Sequence, residues 1–232
     1  MRAARGVLLL GVVMTLGACE SPTPQGGTTR PGAPTSTDAP SATVASTLDA
    51  TVEAAAALRE APDGFTRGVE GVQVSYTVTN DGSEPIKVAT DRAPAQAASV
   101  VAAPEAVWTS AGSDADVVRL SKQVFGLPDG VLPSSLHRAA SATVEPGSST
   151  QDTAFVPLPL RTDLPSGTET IFVTESPLGD PGAVRRLEIC VQIAPGPPVG
   201  QDEPYASTIA ADAPDTALAC SDPIELPEGG AG

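Results

Sequence analysis

The chain has 232 residues, 41% hydrophobic but only 3% aromatic, which suits one core of Val, Leu, Ile and Ala and leaves little for ring-stacking platforms. Its formal net charge of −15, with 13 scattered Lys and Arg, argues against nucleic acid or anionic headgroups held by a broad basic field. Twenty-four Pro and 22 Gly interrupt long helices, so many short strands joined by turns are expected.

Residues 1–18 contain a basic start (Arg2, Arg5) and an apolar run from Val7 to Leu16, shorter than the ~20 residues a membrane span needs, so the stretch reads as a processed signal. It runs into Leu16-Gly17-Ala18-Cys19. These residues resemble the lipobox of bacterial lipoprotein signals, with Gly17 a less usual choice at its position. The resemblance implies cleavage before Cys19 and a thioether-linked diacylglycerol on its sulfur, hence a lipid anchor on the extracytoplasmic face of the cell membrane.

Residues 19–47 are mostly Ser, Thr, Pro, Gly and Ala, a composition that cannot bury enough surface to offset ordering entropy, and are expected to form a disordered tether. Residues 48–60 are ambiguous. Their alanines favour helix, whereas the turn Ala61-Pro62-Asp63-Gly64 and the strand after it favour a first strand paired with residues 72–79, which is the expectation adopted.

In residues 72–90 strand period and turn chemistry agree. Val72, Val74, Tyr76 and Val78 alternate with Gln73, Ser75, Thr77 and Thr79, the pattern of a strand with one buried face. Asn80-Asp81-Gly82-Ser83-Glu84-Pro85 supplies turn residues before Ile86 and Val88 resume the alternation, so the stretch reads as a β-hairpin.

A second hairpin is expected where Ala106-Val107-Trp108-Thr109 and Val117-Val118-Arg119-Leu120 flank a polar loop, with Trp108 in the core. Past Leu120 the alternation slips, as at a bulge or strand end. After the turn Glu145-Pro146-Gly147-Ser148-Ser149, residues 153–160 put Val156, Leu158 and Leu160 on one parity and Pro157 and Pro159 on the other. Both missing donors point to the same side, so this is an edge strand.

Leu187, Ile189, Val191 and Ile193 form a late strand that turns Cys190 away from the main core, and residues 217–226 form the last one. With Cys19 assigned to lipid, Cys190 and Cys220 are expected to pair in an oxidising compartment. Strict alternation gives Cys220 the parity of Leu218 and Ile224, a conflict that a bulge near Asp222-Pro223 would remove.

Together these elements predict an all-β, immunoglobulin-like β-sandwich of about seven strands over residues 48–228, with a disordered tail at 229–232. Residues 76–85 and Phe155-Val156-Pro157-Leu158-Pro159-Leu160 resemble pieces of the β-sandwich lipoproteins of high-GC bacteria, which implies the fold and no activity.

Chemical motifs are sparse. His137 is the single histidine, and Ser134-Ser135-Leu136-His137-Arg138 forms no nucleophile elbow, so no catalytic residue is assigned. One histidine cannot supply the usual zinc or copper ligand sets, and Asp114-Ala115-Asp116 lacks EF-hand spacing and reads as a solvated acidic loop. Arg185-Arg186 reads as an exposed pair at a strand start, and Gly26-Gly27 and Gly229-Gly230 lie outside the body, so no phosphate loop or cofactor is expected. The expected role is a non-enzymatic binding or accessory module whose partners are the membrane, through Cys19, and an envelope protein. An enzyme or small-ligand carrier with an unrecognised site is the alternative.

Overall fold

A computed structural model describes residues 48–97, 103–126, 137–165, 175–197 and 207–229, all within the unit Val44–Gly232. Cys19, the lipobox and the tether lie outside the described residues.

Residues 48–60 form a strand rather than a helix. β1 (Ala50–Glu60) runs antiparallel to β2 (Glu70–Asn80), with Val52 opposite Val78 and Leu58 opposite Val72, and β7 (Ser149–Pro157) covers the other edge of β2. The order β1-β2-β7 is sheet A. β7 is an edge strand, as Pro157 requires. The Phe155 N–H, on the parity of Pro157, points away from β2 to the carbonyl of Glu105, while the Leu158 N–H reaches back to Glu70.

The hairpin expected over residues 72–90 is not formed. Its two strands exist, but β3 (Ile86–Ala89) belongs to the second sheet, and Asn80-Asp81-Gly82-Ser83-Glu84-Pro85 carries the chain across the sandwich. The physical reason is burial. Every residue of β3 is buried, so β3 needs neighbours on both edges, and β6 (Arg138–Val144) and β8 (Arg186–Pro195) supply them, whereas β2 already has β1 and β7.

The crossing is fixed by Asn80, itself fully buried. Its Nδ2 donates to the carbonyls of Glu84 and Val144 at 2.9 Å each, and its Oδ1 accepts the Gly82 N–H at 3.0 Å. The return crossing from β6 to β7 turns at Gly147, held at a φ of +69°, and its N–H donates to the Asn80 carbonyl. One residue, through its side chain and its main-chain carbonyl, therefore ties both passages between the sheets.

Sheet B has the order β4-β5-β8-β3-β6-β9, with β4 (Trp108–Ala111), β5 (Val117–Lys122) and β9 (Thr208–Ala210). β4 and β5 form the second expected hairpin, and Trp108 is fully buried in the core. β5 ends at Lys122, where the alternation slips, and runs parallel to β8. β10 (Ala217–Cys220) and β11 (Ile224–Glu225) line the other edge of β8, since Cys190 and Val191 pair with β5 and β10 at once.

The main core lies between the sheets. Val72, Val74, Tyr76 and Val78 meet Ile86, Leu120, Leu187, Ile189, Val191 and Ile193 there. The all-β sandwich is as expected, with eleven strands among the described residues rather than about seven.

Candidate functional site

Cys190 and Cys220 stand directly opposite each other on β8 and β10, with Cα atoms 4.0 Å apart, and form a disulfide. Both face away from the main core, to which Ala219 and Val191 contribute, yet Cys190 is fully buried beneath Cys220 and β5. The parity conflict is removed by the bulge. Cys220 pairs with Cys190 while Ile224 pairs with Leu187, so one extra residue sits in Ser221-Asp222-Pro223 and returns Ile224 to the core side. Ser221 fills the broken ladder: its N–H donates to Ile189 O at 2.9 Å and its Oγ accepts the Ile189 N–H at 3.2 Å.

The acidic loop is not simply solvated: Asp116 accepts Arg186 Nε at 3.1 Å and Nη2 at 2.7 Å, and its carbonyl accepts the N–H groups of Arg185 and Arg186. Arg186 thus clamps the β4–β5 loop, and this pairing holds the Asp116 carboxyl below its ordinary range. His137 precedes β6, where its carbonyl accepts the Ala211 N–H at 3.0 Å, and it lines neither cleft described below. Among the described residues no group of three His, Cys, Asp or Glu side chains is arranged to hold a metal ion.

Two sites escaped sequence reasoning. In the first, Lys122 at the end of β5 is completely removed from solvent, and its Nζ donates to Asp152 Oδ2 on β7 at 2.7 Å. Tyr76 on β2, paired with Asp152 across the sheet, donates its hydroxyl to the same oxygen at 3.1 Å, and its ring lies 5.6 Å from Nζ. Burial pulls Lys122 below the ordinary lysine range, against the opposing charges of Asp152, Glu105 and Asp91; burial and then Asp152 push Tyr76 upward. Asp152 and Tyr76 open onto a shallow trough of about 530 Å³ across sheet A.

The signal for this cluster was present in the parity. Lys122 follows Val118 and Leu120, Asp152 precedes Ala154 and Val156, and Tyr76 stands among Val72, Val74 and Val78, so three polar groups occupy core-facing positions of three strands.

The second site is a cleft of about 440 Å³ beside the outer edge of β7. Its apolar wall is Phe155, edge-on to Phe65 at 4.9 Å, and Phe155 lies so close to Gly71 that a Cβ there would come within 2.4 Å of the ring. Arg92 reaches the cleft from below. It stacks over Trp108 at 5.0 Å, donates to the Val107 carbonyl at 3.2 Å and pairs with the carboxylate of Asp163. Asp163 is positioned by two backbone hydrogen bonds with Thr109, and Arg161 is exposed on the lining.

Comparison with protein-family models, with curated proteins and with solved structures finds no match to this chain.

Proposed function

We propose that the protein is an extracytoplasmic lipoprotein of the cell membrane, anchored through Cys19, that uses a tether to present its immunoglobulin-like β-sandwich to an envelope partner as a non-enzymatic binding or accessory module. The observation that supports this reading most is the Cys190–Cys220 disulfide. Structural disulfides persist in oxidising compartments, and this one lies in the body that follows a lipobox-like signal. The lipobox gives the anchor chemistry, and a cysteine carrying more than one acyl chain holds to a membrane far better than a single chain would. Labelled palmitate fed to cells should appear in the wild-type protein and be lost in Cys19→Ala. Equal labelling of both would end this reading.

A small-ligand carrier is a second reading, favoured by the Phe65–Phe155 cleft with Arg161 on its lining. Concave, mostly apolar sites with a few polar groups are the usual form of ligand pockets. The acid that burial pushes upward, Asp91, lines neither cleft, so this reading rests on the cleft alone. Mass spectrometry of protein purified from its host in mild detergent tests it: a stoichiometric small molecule released on denaturation supports a carrier, and its absence removes it.

A further inference from the structure

The Lys122–Asp152 pair is an unusual element for a sandwich core. Both charges sit between the sheets, Lys122 from sheet B and Asp152 from sheet A, and a buried ion pair repays its desolvation only when its remaining hydrogen-bonding capacity is satisfied. Here it is not. An ammonium has three donors, and among the described residues Lys122 Nζ has one acceptor, Asp152 Oδ2, with the face of Tyr76 beside it. Moving a proton from Nζ to the carboxylate across a 2.7 Å contact gives a neutral amine against a neutral carboxylic acid. Those are the two reactants of an amide condensation, held in contact by two strands and activated by the Tyr76 O–H on the carboxyl oxygen.

We propose that Lys122 and Asp152 condense after folding into an intramolecular amide between Nζ and Cγ that links the two sheets of the sandwich covalently.

In this step the Nζ lone pair attacks Cγ, the N–C bond forms, and the C–Oδ2 bond breaks. Oδ2 leaves as water, carrying the acid proton and one proton from the amine, with no change in oxidation state. The Thr153 N–H, which donates to Asp152 Oδ1 at 2.7 Å, meets the charge that develops on Oδ1 as Nζ adds, and the Tyr76 hydroxyl on Oδ2 assists the departure of that oxygen. The water has an exit, because the Asp152 side chain is 28% exposed and lines the trough. The bond would differ in kind from the disulfide, which joins two strands of sheet B.

The test is the mass of the full chain after reduction and denaturation, compared with that of the Lys122→Arg and Asp152→Ala variants. The wild type should fall short by one water of the mass expected for its processed form, digestion should yield a branched peptide containing Lys122 and Asp152, and both variants should show the full mass of that form. A wild-type chain of full mass, with Lys122 freely acetylated once denatured, overturns the proposal. So does a one-water deficit that persists in either variant, since it would arise from dehydration elsewhere. If the variants do not fold, the branched peptide from wild-type protein, found or missing, decides the question alone.

Discussion

In sheet A, β1 and β2 stay in register without interruption from Ala50 opposite Asn80 to Glu60 opposite Glu70, and their outer residues are mostly half-buried or exposed. In sheet B, β8 is buried along nearly its whole length and is shared among β5, β3, β10 and β11, none of them its neighbour in sequence. The β1–β2 pair of sheet A is thus specified by the alternation of β2 and a short connection. Sheet B is specified by what its strands meet on both faces, and needs particular side chains to hold distant segments together: Trp108 against Arg92, the Cys190–Cys220 bridge, and Asn80 at the crossing.

If that contrast is sound, the costliest substitutions fall on the long-range links of sheet B. Trp108→Ala removes a fully buried ring that donates to the Gln123 carbonyl and packs edge-on against Phe125. It should cost about 3–5 kcal/mol in denaturant unfolding. A loss below about 1 kcal/mol would show that the sheet B core repacks freely.

The double variant Cys190→Ala/Cys220→Ala, which opens a link spanning 30 residues, should lose about 3–4 kcal/mol on the chain-entropy model. Amide exchange sharpens the contrast: in that variant residues 217–225 should lose protection while β1 and β2 keep theirs. Equal loss across both sheets would mean that they unfold as one unit regardless of the bridge.

Asn80→Ala leaves the Glu84 and Val144 carbonyls without the Nδ2 donor and should cost about 1–3 kcal/mol. Protection should fall in β3 and β6 more than in the β1–β2 hairpin.

The smallest effect concerns Asp91, whose carboxyl burial pushes above its ordinary value while Oδ1 accepts the Ala140 N–H at 2.8 Å. Between the unfolded value of ~3.9 and the higher folded one, the native state binds more protons than the unfolded state, so stability falls as pH rises through that window and the penalty persists above it. Asp91→Asn, which keeps an acceptor for Ala140, should therefore melt slightly higher than wild type at neutral pH and lose the advantage below about pH 4. An unchanged difference across that range would contradict the assignment.

The same contrast explains what could be read from sequence. β2 and the edge character of β7 were legible because β2 buries one face and Pro157 marks the outer side of β7, whereas β1, with Val52 its one buried residue, was readable only from the turn and strand that follow it. The destination of β3 was not. Turn residues such as Asn80 and Gly82 fix that the chain turns, but a tight hairpin and a crossing between sheets use the same chemistry, and only the burial of all four β3 residues separates them. The disulfide followed from cysteine count and the bulge from parity. The Lys122–Asp152–Tyr76 cluster was visible only as polar residues on core-facing positions of strands far apart in sequence, and the topology had to bring them together. The cleft required tertiary structure altogether, since Phe65, Arg92, Phe155 and Asp163 come from four separate segments.

The mass of the N-terminal peptide of the protein extracted from membranes of its host tests the central claim most directly. The expected peptide begins at Cys19 and carries the added mass of a diacylglycerol, with or without an acyl group on the new amine. A peptide beginning elsewhere, or one beginning at an unmodified Cys19, would contradict it.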